Sequence, residues 1–338
     1  MRVLIYGHTG WIGSYLCNIL RKKFITVCHA DGRIEQYDRC TQLLTLYEPT
    51  HVIIAAGLTG RPNVDWCEDH RDEVLRVNVI GTTVIADECR KLGIHVTYFG
   101  TGCIYEYDDD HKMDVFTTTL VENRVDGKSS KSDGKSSKSD GESDGEGNGK
   151  SGQVAQWMKD ILIEEGQGFV EDDQPNFDGS YYSKTKAWTE KILLEMDNVL
   201  ILRIRMPLAD DLCPRNFITK IINYDKVVDV PNSMTVLEEM LPISIDMMCN
   251  GITGCYNFTN PGTISHNQIL SLYRQYIDPD YTWTNFTLEQ QAEILKAGRS
   301  NNKLDCRKLL SLYPNIDHIS TAIVKLFERM SVNTSQEH

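Results

Sequence analysis

Residues 3–13 read VLIYGHTGWIG, a short apolar run followed by three glycines in the spacing Gly-x-x-Gly-x-x-Gly. Residues 11–20 then carry apolar side chains at helical spacing, so the glycines lie between a predicted strand and a predicted helix. Gly7 allows a sharp turn, Gly10 allows the backbone to approach a pyrophosphate, and Gly13 allows the helix to pack closely on the strand. This segment therefore predicts a dinucleotide site at the start of a parallel α/β sheet.

The same alternation of strand and helix continues along the chain. We predict further strands at residues 24–28, 51–56, 96–99 and 199–203, and helices ending at 47 or spanning 73–92 and 182–194. The continuous apolar run at 51–56 is typical of a strand that is covered on both faces. Repeated β-α-β units predict the Rossmann class, an α/β fold with a doubly wound parallel sheet.

The alternation is interrupted between residues 123 and 152, where the heptad KSSKSDG occurs twice. A segment of this composition buries too little apolar surface to offset its ordering entropy, so we predict a disordered insertion. A short helix is predicted over 153–165. We expect a dinucleotide-binding Rossmann domain at 1–205, including the insertion, and a mainly substrate-binding subdomain at 206–330.

Composition narrows the class of protein. The chain has 338 residues and a net charge of −13, which disfavours nucleic acid as a partner. No apolar run is long enough to span a membrane, and a strand beginning at Val3 leaves no room for a signal peptide. The ten cysteines lack the spacing of a metal site. We therefore expect a cytoplasmic protein with reduced thiols, without a membrane segment and without a metal.

A tyrosine and a lysine stand four residues apart in YSKTK at residues 182–186. This spacing puts Tyr182 and Lys186 on the same face of the predicted helix. A nearby ammonium stabilises a phenolate and lowers a tyrosine pKa from its usual value of about 10. The pair therefore predicts a general acid or base that works near neutral pH.

The glycine turn and this pair together resemble the fingerprint of the extended short-chain dehydrogenase/reductase superfamily. The upstream Ser or Thr of that fingerprint matches Thr101, whose hydroxyl the resemblance assigns to the reacting oxygen. Longer segments resemble a narrower family, the bifunctional nucleotide-rhamnose synthases, which are 3,5-epimerase/4-reductases related to dTDP-4-dehydrorhamnose reductase. These segments are TGRPNVDWCE at 59–68, TGCI at 101–104, YSKTK at 182–186, PRNFITK at 214–220 and YNFTNPG at 256–262.

The narrower resemblance implies conversion of UDP-4-dehydro-6-deoxy-D-glucose to UDP-L-rhamnose with NADPH. It implies that Cys103 and Lys220 are the acid/base groups of epimerisation. Tyr182 would protonate the C4 oxygen, Thr101 would hold it, and Lys186 would hold the nicotinamide ribose. Uracil or thymine in the donor nucleotide stays open.

Other contacts follow from these motifs. The residues expected at the cofactor are Gly7, Thr9, Gly10, Trp11, Ile12, Gly13, Arg33, Ala55, Ala56, Gly57, Asn78, Tyr182 and Lys186. Those expected at the substrate are Cys103, Arg215, Asn216 and Arg299. Arg33 favours NADPH, because an arginine near the second strand accommodates a 2′-phosphate, while Asp31 beside it keeps NADH open.

Two other functions stay open. One is a monofunctional dTDP-4-dehydrorhamnose reductase, which Cys103 and Lys220 disfavour. The other is a non-catalytic dinucleotide-binding regulatory subunit, which the intact Tyr182 and Lys186 disfavour. We expect a nucleotide sugar as substrate and an upstream 4,6-dehydratase as pathway partner; a homodimer is compatible with the sequence, which does not fix the oligomeric state.

Overall fold

Six parallel strands form the central sheet of the computed structural model, which describes residues 1–113, 115–116, 162–164 and 166–336. The spatial order is β2-β1-β3-β4-β7-β9. These strands are β1 Arg2–Tyr6, β2 Thr26–His29, β3 His51–Ile54, β4 His95–Thr101, β7 Val199–Ile204 and β9 Gly254–Asn257. The predicted doubly wound α/β class is confirmed.

Helices cover both faces of the sheet. They are α1 Trp11–Lys22, α2 Tyr37–Tyr47, α3 Trp66–Asp69, α4 Arg71–Val74, α5 Thr82–Lys91, α6 Tyr181–Leu193, α7 Phe217–Ile222, α8 Leu237–Cys249, α9 His266–Tyr276, α10 Leu288–Ile294, α11 Arg307–Leu312 and α12 Ile319–Gln336. A π-helical segment, Leu75–Gly81, joins α4 to α5. Among the described residues, no helix has the length and apolar character that crossing a bilayer demands.

The apolar run of β1 divides its side chains between two cores. Val3 and Ile5 pack against the side of α1 and α8, whereas Leu4 and Tyr6 pack against the side of α2 and α5. Successive side chains of a strand point to opposite faces, and both faces are covered here. Each fully buried aliphatic side chain contributes about 1.5–3 kcal/mol to stability, which explains why the strand sequences are nearly continuous apolar runs.

Strand ends set the position of the site. β1 ends at Tyr6, directly before the glycine turn, and β4 ends at Thr101. β7 pairs with β4 so that Ile204 lies opposite Thr101. From β1 the chain first forms β2 on one side and then crosses to β3 on the other, which opens a crevice at the carboxyl ends of the strands.

The C-terminal part of the chain contributes to this sheet through β9, which pairs with β7. It also forms a two-stranded sheet from β8 Lys226–Val227 and β10 Thr284–Asn285. Residues 1–113 and 167–338 form one compact unit, and 114–166 form another. The division of function at residue 205 stays a prediction.

Some predicted elements differ from those observed. The second strand begins at Thr26 rather than at 24, because Phe24 adopts a left-handed φ of 58° that belongs to the turn after α1. The helix predicted over 153–165 is wrong at Leu162–Glu164, which forms β6 and pairs antiparallel with β5 Val115–Phe116. Residues 153–161 and the insertion at 123–152 lie outside the described residues.

Candidate active site

A cavity of about 500 Å³ lies at the carboxyl ends of the central strands. Most of the residues predicted for the site line it, namely Gly7, Thr9, Gly10, Trp11, Ile12, Arg33, Ala55, Ala56, Gly57, Asn78, Thr101, Cys103, Tyr182, Lys186, Arg215 and Lys220. The sheet topology therefore brings together motifs that are far apart in the chain.

The glycine turn fits a dinucleotide pyrophosphate. A Cβ on Gly13 would lie 2.1 Å from the carbonyl oxygen of Gly7, so only glycine permits this close packing of α1 on the turn. Gly10 is the N-cap of α1, and no side chain of the described residues caps that helix end. The first amides of α1 are thus available to an anion, as in other dinucleotide sites. Gly13 packs against Gly7 and His8 of the turn and does not line the cavity.

Two carboxylates hold Arg33, the residue expected at the adenosine ribose. Its Nε donates to Glu35, and its Nη2 lies 2.7 Å from an oxygen of Glu73. Glu35 lines the cavity together with Arg33, whereas Asp31 does not. An acidic and a basic side chain therefore line the cavity side by side, in the loop after β2 where the resemblance to dinucleotide-binding proteins predicts the adenosine ribose.

The π-helical segment presents Asn78 to the cleft. The Asn78 side chain accepts a hydrogen bond from the Leu58 amide at 2.8 Å and donates one to the Leu58 carbonyl at 2.9 Å. This pair of bonds fixes the loop that follows β3, where Ala55, Ala56 and Gly57 line the cavity. A π-bulge at such a place is typical of functional sites.

Tyr182 lies in the first turn of α6 beside Thr101. Ser180 caps this helix, since its side chain accepts a hydrogen bond from the Ser183 amide at 3.0 Å. The Thr101 hydroxyl accepts a hydrogen bond from the Cys103 amide at 3.1 Å. Burial, and next the nearby Cys103, raise the pKa of Tyr182 well above its usual range, while the neighbouring Thr101 hydroxyl lowers it.

Lys186 follows one turn later and is buried. Its ammonium donates to the hydroxyl of Tyr98 and, at 3.3 Å, to the carbonyl of Phe99. Burial lowers the pKa of Lys186 to about 8. The lysine was expected to lower the pKa of Tyr182; in the protein without ligands the opposite holds, because desolvation of the phenol dominates.

The two residues expected to exchange protons with the sugar both line the cavity. Cys103 follows β4 and is partly exposed, and the Nη1 of Arg205 donates to its Sγ at 3.4 Å. Lys220 comes from α7. Burial, and next the neighbouring Arg215, lower the pKa of Lys220, so that its ammonium releases a proton more readily near neutral pH.

Two predicted substrate residues lie outside the cavity lining. Asn216 is fully buried and caps α7, and its amide also donates to the carbonyls of Ala209 and Asp211. Arg299 forms an ion pair with Asp65 at 3.0 Å. Both side chains are thus used in structural contacts, whereas Arg215 lines the cavity and donates to the hydroxyl of Thr59.

Comparison with known proteins places these motifs in a family. The model of the "NAD dependent epimerase/dehydratase family" matches residues 3–124. A bifunctional dTDP-4-dehydrorhamnose 3,5-epimerase/dTDP-4-dehydrorhamnose reductase of Arabidopsis thaliana is 45% identical over 323 residues, which are 95% of this chain and 91% of that protein. The chain belongs to this epimerase/reductase family.

Two further relatives support the assignment. The crystal structure of the L780 UDP-rhamnose synthase from Acanthamoeba polyphaga mimivirus is 36% identical, with a TM-score of 0.78, and covers 97% of this chain and 99% of its own. A trifunctional UDP-glucose 4,6-dehydratase/UDP-4-keto-6-deoxy-D-glucose 3,5-epimerase/UDP-4-keto-L-rhamnose-reductase of Arabidopsis thaliana is 45% identical over 96% of this chain, which spans only 41% of that protein.

The chain is therefore an oxidoreductase and isomerase of nucleotide-sugar biosynthesis that uses a nicotinamide dinucleotide. Sequence reasoning missed part of the cavity lining, which also includes Tyr6, Gly32, Ile34, Glu35, Leu58, Thr59, Val64, Val77, Phe99, Gly100, Ile204, Met206, Pro207 and Phe217. Most of these adjoin a predicted motif, and the loops after β2 and β7 carry no motif that would single them out.

Proposed function

We propose that the protein converts UDP-4-dehydro-6-deoxy-D-glucose to UDP-L-rhamnose by 3,5-epimerisation followed by reduction at C4 with NADPH. The observation that carries the proposal is that Cys103, Lys220, Tyr182 and Thr101 all line one cavity. Groups suited to proton exchange and groups suited to ketone reduction therefore face the same bound sugar.

Epimerisation needs two groups that handle protons. The C4 ketone acidifies the hydrogens on C3 and C5, because the electron pair left by deprotonation moves onto the ketone oxygen as an enolate. A thiolate at Cys103 takes the proton and becomes a thiol, while the ammonium of Lys220 returns a proton to the other face of the ring. The hydroxyls of Thr101 and Tyr182 hydrogen-bond the enolate oxygen.

Reduction uses the same oxygen contacts. A reduced nicotinamide, when bound, supplies the hydride for C4. Tyr182 donates its proton to the C4 oxygen, and its raised pKa keeps the phenol protonated and ready to act as the acid. Thr101 orients that oxygen, and Lys186 lies one helical turn behind Tyr182, where it would hold the nicotinamide ribose.

Cofactor and substrate preferences rest on charged groups. Arg33 supports NADPH, because its guanidinium could pair with a 2′-phosphate once Glu35 or Glu73 releases it. Arg215, which lines the cavity, supports binding of the sugar diphosphate. The choice of UDP as the donor nucleotide is supported by the names of the mimivirus and trifunctional plant relatives. The bifunctional plant relative is named for dTDP.

The substrate must come from a 4,6-dehydration of a nucleotide glucose. The trifunctional plant relative carries that dehydratase in one chain with its epimerase/reductase, so we propose a dehydratase as the pathway partner of this protein. The homodimer stays a prediction.

Product identification tests the proposal. The purified protein is incubated with NADPH and either UDP- or dTDP-4-dehydro-6-deoxy-glucose, and the sugar is identified by NMR. We expect L-rhamnose, formed faster from the UDP donor. A product reduced at C4 but not inverted at C3 and C5 would refute the bifunctional assignment.

A further inference from the structure

Arg205 is a buried cation in contact with the Cys103 thiol. It follows β7 directly, and only 1% of its surface is exposed. Pairing of Thr101 with Ile204 in the sheet brings the loops after β4 and β7 together, and the Nη1 of Arg205 lies 3.4 Å from Cys103 Sγ.

No carboxylate of the described chain forms an ion pair with this guanidinium. Its other hydrogen bonds go to neutral acceptors, which are the side-chain oxygen of Asn232 and the hydroxyl and carbonyl of Ser300, at 3.1 and 2.7 Å. Its Nε is buried and has no hydrogen-bond partner among the described residues. Burying a cation without a counter-ion is unfavourable, so the anionic form of a nearby group is strongly favoured.

Arg203 shows the contrast. It lies two residues earlier, within β7, and is equally buried, but its Nη2 forms an ion pair with Glu190 at 2.7 Å. Of these two guanidinium groups, that of Arg203 is neutralised, and that of Arg205 has no counter-ion among the described residues. The second is the one that contacts the thiol.

We propose that Arg205 is the counter-ion of the Cys103 thiolate, a positioning residue that keeps this sulfur ionised and aimed at the sugar. The inference deepens the proposed function and rests on it for the role of Cys103 as a base. When the thiolate takes a proton from C3 or C5, it becomes a thiol and Arg205 stays protonated. The unbalanced charge then favours loss of that proton to solvent water. The Lys220 amine regains its proton from solvent, so both groups are ready for the second carbon.

Other titratable groups also face this pair. Cys103 acts electrostatically on Lys186 and Tyr182 of α6 and on Lys220 of α7. Tyr107 and His266 face Arg205. Burial lowers the pKa of His266 to about 4, so its ring is neutral at pH 7 and adds no charge there. Among these groups, Arg205 is the cation that donates a hydrogen bond to the sulfur.

Alkylation by iodoacetamide reports the thiolate directly. The rate at Cys103 is followed by peptide mass spectrometry between pH 6 and 10.5, with the exposed Cys249 of the same molecules as internal reference. Arg205→Gln removes the charge but keeps donors for Asn232 and Ser300. Arg205→Lys keeps the charge, and Arg299→Gln removes a nearby cation that is paired with Asp65.

We expect Arg205→Gln to slow alkylation of Cys103 about tenfold at pH 7, with the rates converging at pH 10 and above. A merely structural change in access would slow the reaction at every pH. Arg205→Lys and Arg299→Gln should stay within about threefold of the unmodified protein. An unchanged rate in Arg205→Gln, or an equal loss in Arg205→Lys, would overturn the inference.

The proposed function fails by a different result. Cys103→Ala should lose exchange of the C3 and C5 hydrogens with deuterated water. Normal exchange in that variant would remove Cys103 as the base, whatever the alkylation rates are.

Discussion

At the scale of single residues, we propose that the reductive step depends on the phenol of Tyr182. Tyr182→Phe removes the proton donor but leaves Cys103 and Lys220 in the cavity. We expect the rate of NADPH oxidation to fall by at least about 100-fold. Exchange of C3 and C5 hydrogens with deuterated water should continue. Absorbance of the cofactor and NMR of the sugar measure the two steps separately.

The neighbouring tyrosine is the matched control for this substitution. Tyr181 contacts Trp188 edge to face and lies under Arg71, away from the cavity lining. Tyr181→Phe should leave both steps unchanged. If Tyr182→Phe also oxidises NADPH at the normal rate, Tyr182 is not the acid.

A second residue-scale prediction concerns the choice of cofactor. Glu35 binds Arg33 and lines the cavity, whereas Glu73 binds Arg33 without lining it. Glu35→Gln therefore frees the guanidinium and also removes a negative charge that repels a 2′-phosphate. We expect the ratio of kcat/KM for NADPH to that for NADH to rise about fivefold to tenfold.

Glu73→Gln separates these two effects, because it frees Arg33 and leaves the cavity carboxylate in place. In Glu73→Gln, the ratio of kcat/KM for NADPH to that for NADH should rise less than in Glu35→Gln. A ratio that stays constant in both variants would show that Arg33 does not bind the 2′-phosphate.

The sequence predicts the reactive residues better than their partners. Tyr182 and Lys186 are recognisable from their spacing, and Thr101 and Cys103 from the resemblance of their segment to the family. Arg205 is not, because Arg203 and Arg205 look alike in the sequence. Which of them has a counter-ion depends on Glu190, which comes from helix α6 and meets Arg203 only in the folded chain.

At the scale of elements, the π-helical segment between α4 and α5 fixes the loop after β3 through Asn78. Asn78→Ala removes both bonds to Leu58 and leaves its amide and carbonyl without these partners. We expect the free energy of unfolding to fall by about 2 kcal/mol, and the Kd of the dinucleotide to rise. Denaturant titration and fluorescence titration measure the two quantities.

A surface asparagine supplies the comparison. Asn18 on α1 is exposed and only accepts a hydrogen bond from Arg21 at 3.4 Å. Asn18→Ala should change stability by less than about 0.5 kcal/mol and leave cofactor binding alone. Equal changes in the free energy of unfolding and in the Kd of the dinucleotide in the two variants would contradict the role given to Asn78.

Glu238, in the first turn of α8, should make the stability of the protein depend on pH. Burial raises the pKa of Glu238 to about 7, from 4.5 in the unfolded chain. Between pH 4.5 and 7, Glu238 therefore stays protonated in the folded state, whereas it loses its proton in the unfolded chain. The resulting stabilisation is complete below pH 4.5 and is lost as the pH rises through 7.

Glu238→Gln keeps an acceptor for the Asp210 amide, which donates to Glu238 Oε1 at 2.9 Å, and cannot ionise. Relative to the unmodified protein, it should gain up to about 3 kcal/mol between pH 4.5 and 8. Denaturant titrations at four pH values across this range measure the difference. A difference that does not change with pH would contradict the prediction.

Strands were easier to predict than irregular elements. A buried parallel strand is recognisable in the sequence as an apolar run. The predicted bounds of β3, β4 and β7 lie within three residues of the observed ones at either end. The π-helical turn was not, because helical apolar spacing hardly changes when one extra residue is accommodated. The left-handed turn at Phe24 was missed because a bulky aromatic residue gives no turn signal.

At the scale of the whole molecule, all residues assigned to the chemistry belong to the unit formed by 1–113 and 167–338. The repeated polar segment at 123–152 lies outside them. Replacing residues 123–152 by a short glycine-serine linker should leave kcat within about twofold, because none of the residues assigned to the chemistry lies in this segment. A loss of turnover in the steady-state assay would show that the segment belongs to the site.

In the proposed function, one cavity epimerises and reduces the same sugar. The deuterium content of the product formed in deuterated water with unlabelled NADPH reports both steps at once. We predict L-rhamnose with deuterium at C3 and C5, hydrogen at C4, and one NADPH consumed per sugar. A reduced sugar with hydrogen at C3 and C5 would contradict it.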